Sequence, residues 1–333
     1  MCRKNAIRFG PQCFKREFAE FIAQQWAHFS RLSNKVKILL TGANGFVGKH
    51  ARALIPGCYA LNEDHNSVDL RDARQVEESV CSSNPEAVIH LAAQSSVQDS
   101  FRDPRGTFEI NFLGTLNLLE ALRRNKFEGK FLFVGSGDVY GLVPDKDLPV
   151  IEDYPLRPRN PYAVSKVAAE ALCFQWSQTE KFDIVMARPF NHCGPGQSDR
   201  FVIGNLSKQV RNIKRGLKPA VVQIGDVDIS RDFTDVRDVV RAYHTLLLRG
   251  RNGEIYNVCS GKQYCIRELL VLMMKIVRIE AQLEDDRERF RRAEQRNMCG
   301  SFAKLSRETG WELSIPMSQS LTDILNEGEN RDE

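Results

Sequence analysis

The stretch KVKILLTGANGFVGKHARALI, residues 35–55, determines which fold the chain can adopt. Residues 36–40 form a short, mainly apolar run of the kind found in buried parallel strands. The run leads into Gly42, Gly45 and Gly48, and a helical pattern follows. Glycines at this spacing allow a tight turn and a close approach of the backbone to a pyrophosphate, which the positive end of the next helix also favours. This order of strand, loop and helix predicts a dinucleotide-binding unit.

Further short apolar runs follow along the chain, and helical patterns such as residues 104–125 lie between them. Alternating strands and helices predict an α/β fold, a doubly wound parallel Rossmann sheet with a smaller α/β C-terminal substrate lobe. Ligands bind such sheets at the carboxyl ends of the strands, so we expect one shared cleft. Those ends are rich in small and polar residues here, at residues 42–48, 92–96, 136–140 and 189–196.

The composition of the 333 residues is that of an ordinary globular protein, with 42% hydrophobic and 27% charged residues. The net charge of +4 comes from basic residues spread along the chain, so nucleic acid is not an expected partner. The nine cysteines show neither CxxC nor paired histidine spacing, so we expect reduced thiols, a cytoplasmic location and no metal site. No apolar stretch of the sequence is long enough to span a membrane.

Residues 1–34 differ from the rest, because aromatic side chains recur there at near-helical spacing with charges between them. An interfacial or targeting helix is one interpretation. Glu17 and Glu20 argue against a transit peptide, and the apolar core of a signal peptide is missing. We favour an appended helix, or a start codon placed too far upstream, over a targeting segment.

The stretch NPYAVSKVAAEAL, residues 160–172, predicts a helix with Asn160 as N-cap and Pro161 in its first position. Tyr162 and Lys166 stand at i and i+4, so their side chains point the same way. A neighbouring ammonium would lower the pKa of the phenol and make it useful as an acid or base. A buried tyrosine beside a snorkelling lysine is the alternative, so the pair needs support from other residues.

The glycine loop, the HLAAQ stretch at residues 90–94, Ser136 and the Tyr162–Lys166 pair together resemble the extended short-chain dehydrogenase/reductase family. Its members act mainly on nucleotide sugars, and the likeness covers roughly residues 35–325. Longer strings, such as RDFTDVRDV from Arg231, are most similar to members that reduce a GDP-linked sugar ketone. The resemblance implies reduction of the C4 ketone of GDP-4-dehydro-6-deoxy-D-mannose to GDP-D-rhamnose, with NADPH or NADH.

The resemblance also implies roles for individual residues. Tyr162 would donate the proton, Lys166 would hold the nicotinamide ribose, and Ser136 would bind the sugar oxygen. Asp69 and Leu70 would lie at the adenine, although Asp69 could instead cap a helix beginning near Arg71. The full set expected at the cofactor is Gly42, Asn44, Gly45, Phe46, Val47, Gly48, Asp69, Leu70, Leu91, Ala92, Ala93, Tyr162, Lys166 and Pro189.

The GDP-sugar substrate would contact a second set of residues. Arg231 would meet the diphosphate, and Arg291 with Glu294 matches an R-P-x-E element that binds the nucleotide. Arg292 replaces the proline of that element, so either arginine could reach phosphate. Ordinary surface salt bridges are the alternative for Arg231 and Arg291. The expected substrate set is Ser95, Ser136, Asn191, Arg231, Arg291 and Glu294.

The sequence alone decides neither the preference for NADH or NADPH nor the role of His192. Glu63, which lies about 20 residues after the glycine loop, would favour NAD through the ribose hydroxyls. No nearby arginine clearly indicates NADP. His192 lies at the cleft edge, where an ordinary hydrogen-bonding role is the expectation.

The chain reads Ser136-Gly137-Asp138 where related dehydratases carry T-x-E. Asp138 is one methylene shorter than glutamate, so we favour reduction over GDP-mannose dehydration, with Asp138 as a weaker catalytic candidate. Local bonding of Asp138 within its turn is the structural alternative. An epimerase or other nucleotide-sugar reductase, and a non-catalytic binding subunit, are further alternatives.

The resemblance implies a homodimer formed by helices that include the one carrying Tyr162. It also implies a division of the chain into segments with different tasks. These are an N-terminal extension outside the core at 1–34, a mainly NAD(P)-binding domain at 35–190, a mainly nucleotide-sugar-binding lobe at 191–325 with segments that return to the sheet, and a tail at 326–333.

Overall fold

A computed structural model describes residues 36–61, 68–286 and 295–327 of the chain. Within these ranges, six strands form one parallel sheet in the order β10-β5-β4-β3-β1-β2. The fold is therefore the doubly wound parallel sheet that the sequence predicts. The strands of this sheet are β1 Ile38–Thr41, β2 Cys58–Ala60, β3 Ala87–His90, β4 Lys130–Val134, β5 Asp183–Pro189 and β10 Ile255–Val258.

The described helices lie mainly between these strands and in the C-terminal part of the chain. They are α1 Phe46–Leu54, α2 Ala73–Ser83, α3 Val97–Arg102, α4 Pro104–Phe108, α5 Gly114–Arg124, α6 Pro161–Thr179, α7 Val202–Lys214, α8 Val236–Arg249, α9 Ile266–Val277, α10 Ala303–Thr309 and α11 Met317–Asn326. Single turns of 3₁₀ helix span Gly137–Tyr140 and Asp145–Asp147.

Both faces of the sheet are buried, as β1 shows. Ile38 and Leu40 pack into the core on the side of α1 and α8, whereas Leu39 packs into the core on the side of α2 and α5. All three side chains are at most 2% exposed. A run of apolar residues without alternation therefore makes a central parallel strand here, because each face has its own layer of helices.

The helical segment predicted at residues 104–125 is present but irregular. One turn of π-helix, Glu109–Leu113, separates α4 from α5. Such turns inside helices are rare and frequently occur at functional sites. This one turns the side chain of Asn111 into the protein interior, where it is 2% exposed.

The C-terminal part of the chain builds a second core. Helices α7, α9 and α11 enclose it together with the paired strands β7 Val221–Ile224 and β12 Gln282–Asp285. Two smaller pairings complete the sheets: β6 Asn191–Cys193 with β9 Phe233–Asp235, and β8 Ser230–Arg231 with β11 Tyr264–Cys265. Between α7 and α9 the chain returns to the main sheet. There α8 packs against α1, and β10 pairs with β5.

Several sequence predictions fall outside the described residues. They concern the extension at 1–34, Glu63, the pair Arg291 and Glu294, and most of the tail. In the part of the chain that is described, no helix is long and apolar enough to cross a membrane. A search of the same residues finds no group of histidine, cysteine or acidic side chains that could hold a metal ion.

Candidate active site

The glycine loop joins β1 to α1 and passes against the end of β3. Gly42 has a φ of +70°, and a Cβ atom there would lie 2.8 Å from the backbone nitrogen of Ala92. The Gly45 N–H donates to the carbonyl of Gly42 at 3.0 Å, and α1 begins at the next residue. The glycines thus let the loop pack closely on neighbouring backbone and turn directly into the N-terminus of α1, which fits a pyrophosphate.

The strand ends expected at the cofactor and substrate share one edge of the sheet. Strands β1, β3, β4 and β5 are neighbours and all run parallel, so their carboxyl ends lie side by side. The structure therefore brings the glycine loop, residues 91–95, Ser136 and Pro189 to that edge. Ser95 and Asn191 lie there too, both exposed.

The start of α6 brings Tyr162 and Lys166 to the end of β4. The Oδ1 atom of Asn160 accepts a hydrogen bond from the Ala163 N–H at 2.7 Å, which confirms the predicted cap. The Tyr162 hydroxyl shares a hydrogen bond with Ser136, and both residues are less than 10% exposed. Lys166 is 4% exposed and donates from Nζ to the Val134 carbonyl at 2.8 Å. Phenol, hydroxyl and ammonium thus meet at one strand end.

The prediction that Lys166 lowers the pKa of the Tyr162 phenol is wrong in this structure. Burial raises the pKa of Tyr162 above its ordinary value, the charge of Asp138 raises it further, and the hydrogen bond with Ser136 opposes both. Burial also lowers the pKa of Lys166, to about 8. The Lys166 ammonium is directed at a backbone carbonyl, and desolvation of the phenol outweighs it. Tyr162 is therefore protonated at neutral pH, the state that a proton donor needs.

Asp138 lies two residues after Ser136 in the 3₁₀ turn and is exposed. The Ser136 Oγ atom accepts a hydrogen bond from the Asp138 N–H at 3.2 Å, so Ser136 is the cap of this turn. The Asp138 carboxylate is close enough to Tyr162 to act on its pKa. The structure thus places all four catalytic candidates in one cluster.

Asp69 and Leu70 lie at the beginning of the described range 68–286 and precede α2. Asp72 is the cap of α2, accepting hydrogen bonds from the N–H groups of Arg74 and Gln75, so the interpretation of Asp69 as a helix cap is wrong. Asp69 pairs instead with Arg71, whose guanidinium donates to its carboxylate at 2.6–3.0 Å. That contact lowers the pKa of Asp69. Leu70 is buried against Gly114.

Arg231 ends the short strand β8, and its guanidinium donates to the carbonyls of Ser230 at 3.0 Å and Arg296 at 3.3 Å. The next residue, Asp232, is 1% exposed. Its carboxylate accepts hydrogen bonds from the Ser260 N–H and hydroxyl, the Gly261 N–H and the Gly300 N–H, at 2.7–3.2 Å. Burial nevertheless raises the pKa of Asp232. Asp232 thus joins three segments of the lobe behind Arg231.

His192 fulfils the expectation of an ordinary hydrogen-bonding residue. Its Nδ1 atom lies 3.1 Å from the Phe190 carbonyl, and its ring stacks on Phe46 at 5° with the ring centroids 6.1 Å apart. Burial lowers the pKa of His192, so the ring is neutral at neutral pH. The stacking joins β6 to the first residue of α1.

Sequence analysis overlooked several buried polar residues that support the site. Arg188 of β5 donates to the carboxylate of Glu170 in α6 at 2.6 and 2.8 Å, and to the Tyr140 hydroxyl at 2.9 Å. This buried ion pair fastens the Tyr162 helix to the sheet. Charged residues inside the apolar patterns of β5 and α6 were the signal that could have revealed it. Asp232 carried no such signal, because its partners lie far along the chain.

The chain is similar along most of its length to proteins named for reactions of GDP-linked sugars. The family model described as GDP-mannose 4,6 dehydratase matches residues 58–324. A GDP-6-deoxy-D-mannose reductase from Pseudomonas aeruginosa is 47% identical over 298 residues, which span 89% of this chain and 98% of that protein. A GDP-mannose 4,6-dehydratase from Yersinia enterocolitica is 27% identical, over 77% of this chain and 76% of that protein.

Solved structures show the same fold. The structure of RMD from Pseudomonas aeruginosa complexed with NADPH matches with a TM-score of 0.83 at 47% identity, covering 89% of this chain and 99% of that one. A UDP-glucose 4-epimerase from Thermotoga maritima, solved with UDP-glucose, matches with a TM-score of 0.80 at 25% identity, covering 89% of this chain and 99% of that one.

Proposed function

The chain belongs to the GDP-mannose 4,6-dehydratase family, and we propose that it reduces the C4 ketone of GDP-4-dehydro-6-deoxy-D-mannose to GDP-D-rhamnose. The observation that carries the proposal is the 47% identity to a GDP-6-deoxy-D-mannose reductase along nearly the whole length of both proteins. The cluster of Ser136, Tyr162 and Lys166 supports it, because ketone reduction needs a proton donor and donors to the developing alkoxide.

The residues at the sheet edge fit a nicotinamide dinucleotide. Gly42 and Gly48 let the glycine loop pack closely on neighbouring backbone beside the start of α1, and Lys166 lies on the catalytic side of the same edge. When bound, NADPH or NADH supplies the hydride for C4 of the sugar. We assign the pyrophosphate to residues 42–48, the adenine to Asp69 and Leu70, and the nicotinamide side to residues 91–93 and Pro189.

The chain's own part in the reaction is proton transfer and charge stabilisation. The Tyr162 hydroxyl donates its proton to O4 as negative charge develops there, and Ser136 donates a hydrogen bond to the same oxygen. The Lys166 ammonium orients the nicotinamide ribose and stabilises the phenolate that Tyr162 becomes. A phenol whose pKa is raised in the resting enzyme enters this step already protonated.

The residue beside the serine favours reduction over dehydration. Dehydration uses the same Ser136, Tyr162 and Lys166 but also needs a further acid or base near the serine, which removes the C5 proton and helps water to leave from C6. Asp138 adds negative charge beside Tyr162 and is one methylene shorter than the glutamate of related dehydratases. Dehydration of GDP-mannose through Asp138 is the alternative that the family description favours.

The lobe residues are assigned to the nucleotide-sugar. The carbonyls of Ser230 and Arg296 hold the Arg231 guanidinium at the lobe side of the cleft, which suits a diphosphate contact. Ser95 and Asn191 lie exposed at the strand ends, where the sugar would be held. Arg291 and Glu294, which we assign to the nucleotide by resemblance, lie outside the described residues. On this assignment residues 35–190 mainly bind the cofactor and residues 191–325 mainly bind the nucleotide-sugar, while Ser95 and Ser136 of the first range contact the sugar.

We also propose a homodimer and a cytoplasmic location. Helices α3 and α6 and the π-helical turn expose large apolar side chains, namely Phe101 at 61%, Leu113 at 45%, Val164 at 40% and Phe174 at 49%. Several exposed apolar side chains of this size indicate an interaction surface, whereas a single one would not. We infer that a second copy of this chain covers them. Light scattering on the purified protein and on Phe101→Ser tests this assignment: loss of the dimer in the variant supports it, and an unchanged oligomer contradicts it.

The function is tested by supplying GDP-4-dehydro-6-deoxy-D-mannose with NADPH and, separately, with NADH. Loss of cofactor absorbance with formation of GDP-D-rhamnose supports the proposal and determines the cofactor. GDP-fucose as product would identify a combined epimerase and reductase. If the cofactor is not oxidised and GDP-mannose loses water, the protein is a dehydratase. If neither reaction occurs, it is a non-catalytic binding subunit.

A further inference from the structure

His90 ends β3 and lies fully inside the protein, 2% exposed, with its ring centroid 5.8 Å from that of Phe131 and 6.2 Å from that of Phe133. Both ring nitrogens nevertheless have hydrogen-bond partners. Nδ1 lies 2.7 Å from the Thr41 hydroxyl, directly before the glycine loop, and Nε2 lies 2.9 Å from the Thr115 hydroxyl in α5. The ring therefore connects a strand end to the helix that follows the π-helical turn.

The direction of each hydrogen bond follows from the partners of the two threonines. The Thr115 hydroxyl donates to the Asn111 carbonyl at 2.7 Å, so it can only accept from His90. His90 must then carry its proton on Nε2 and accept at Nδ1 from the Thr41 hydroxyl. Thr41 Oγ1 in turn accepts from the Ala92 N–H at 3.1 Å. Burial, aided by the charge of Lys166, lowers the pKa of His90 to about 3 and keeps this neutral tautomer.

The chain of hydrogen bonds continues to the catalytic helix through Asn111. Its Nδ2 group donates to the Ser165 hydroxyl at 2.9 Å, and that hydroxyl donates to the Tyr162 carbonyl at 2.7 Å. Asn111 Oδ1 accepts from the Gln94 N–H at 2.8 Å. Thr41, His90, Thr115, Asn111 and Ser165 thus form one continuous buried network, which ends at the backbone of Tyr162.

We propose that His90 is a positioning residue that holds the glycine loop and the Tyr162–Lys166 helix in register, so that cofactor and proton donor meet the same substrate atom. The inference rests on the proposed reduction. Its physical basis is that a displacement of about 1 Å at the reacting groups can cost roughly 100-fold in rate. Any buried histidine needs partners for both ring nitrogens, but the partners of this one lie directly before the glycine loop and on the helix whose network reaches Tyr162.

Two conservative substitutions separate the two ends of the network. In His90→Asn the amide oxygen can replace Nδ1 as acceptor for Thr41, but nothing reaches Thr115. In His90→Gln the amide nitrogen can replace Nε2 as donor to Thr115, while the contact with Thr41 is lost. We expect His90→Asn to bind NADPH like the parent and to lose kcat about tenfold, which is part of the cost of misalignment. We expect His90→Gln to keep most of its kcat and to bind NADPH several-fold more weakly.

Two further variants serve as controls. Thr115→Val removes one hydroxyl at nearly constant volume, and we expect it to reproduce the kcat loss of His90→Asn. Phe131→Leu changes the packing against the same ring without touching the network, and its kcat should stay within about twofold of the parent. NADPH binding is measured by fluorescence, so that half of the test does not depend on the sugar.

The inference is overturned if His90→Asn and His90→Gln change kcat and NADPH affinity alike, or change only the melting temperature. It is equally overturned if Thr115→Val keeps full kcat. Failure of the parent enzyme to reduce the keto sugar is a different result, since it rejects the proposed function. The difference in NADPH affinity between His90→Asn and His90→Gln would then still decide whether the ring positions the glycine loop.

Discussion

The sheet edge and the C-terminal lobe hold their polar groups in different ways. At the sheet edge, backbone geometry does most of the positioning, through the carboxyl ends of parallel strands and the first turns of α1 and α6. In the lobe, the buried carboxylate of Asp232 binds two other chain segments, at residues 260–261 and at Gly300, beside Arg231. Loss of one side chain at the sheet edge should therefore lower kcat, whereas loss of Asp232 in the lobe should lower stability and weaken substrate binding.

The largest expected effect is at the edge, in Tyr162→Phe. Removing the proton donor should lower kcat by about 10³-fold while NADPH affinity stays near that of the parent, because general acid catalysis is typically worth 10²–10⁴. Steady-state kinetics and fluorescence titration measure the two quantities. Tyr154→Phe is the matched control, since that hydroxyl bonds the Asp147 carboxylate at 3.2 Å, away from the residues that support the site. Turnover that survives in Tyr162→Phe would contradict the mechanism.

Asp232→Asn probes the lobe side of the comparison. An amide cannot accept from all the N–H groups that the carboxylate serves, so we expect a loss of about 2 kcal/mol in the free energy of unfolding. We also expect a higher KM for the GDP-sugar with NADPH affinity unchanged. Asp228→Asn, which breaks an exposed pair with Arg267 in the same lobe, should change stability little. Urea unfolding and steady-state kinetics test both variants, and an unaffected KM would show that Asp232 does not organise the substrate side.

Gly42→Ala tests whether the close contact of the glycine loop with the Ala92 backbone affects NADPH binding, apart from the strain of a positive φ. The φ of +70° should make alanine cost about 1–2 kcal/mol in stability, and the added Cβ would press on the Ala92 backbone. We expect NADPH to bind about tenfold more weakly as the loop shifts. Gly216→Ala is a close control, because its φ is +68° and its Cβ would meet nothing within 4 Å. Equal NADPH affinity in the two variants would reject a role for the Gly42 contact.

The smallest expected effect is in Asp138→Asn. Removing this negative charge should lower the pKa of Tyr162, since a nearby anion disfavours the phenolate. The phenol then becomes a slightly stronger acid, so we expect kcat to change less than in the other variants, because Asp138 is exposed. Steady-state kinetics at several pH values measure the change, and the alkaline fall of kcat should stay where Lys166, with its pKa of about 8, sets it. A loss of kcat comparable to that of Tyr162→Phe would mean that Asp138 itself takes part in proton transfer.

What could be predicted from sequence follows the same division. The strands, the glycine loop and the helix cap at Asn160 depend on neighbours a few residues away, so periodicity and residue type were enough to find them. Asp232 depends on partners 28, 29 and 68 residues away, and His90 on partners 49 and 25 residues away. Such contacts leave no local pattern in a single sequence.

The protonation state of Tyr162 shows the same limit. The i to i+4 spacing correctly places Lys166 on the face of Tyr162, and from it we predicted a lowered pKa. The structure reverses the direction, because burial of the phenol is the larger influence and depends on the whole fold. The role of proton donor does not depend on this direction, since a phenol is protonated at neutral pH in either case.

In the proposed reaction the bound cofactor delivers hydride to C4 and Tyr162 protonates O4. The decisive experiment incubates the enzyme with GDP-4-dehydro-6-deoxy-D-mannose and NADPH that carries deuterium at the transferable position of the nicotinamide, and locates the label by NMR. We expect one deuterium at C4 of GDP-D-rhamnose and equal amounts of oxidised cofactor and product. Label that stays on the cofactor, or a product without deuterium at C4, would contradict it.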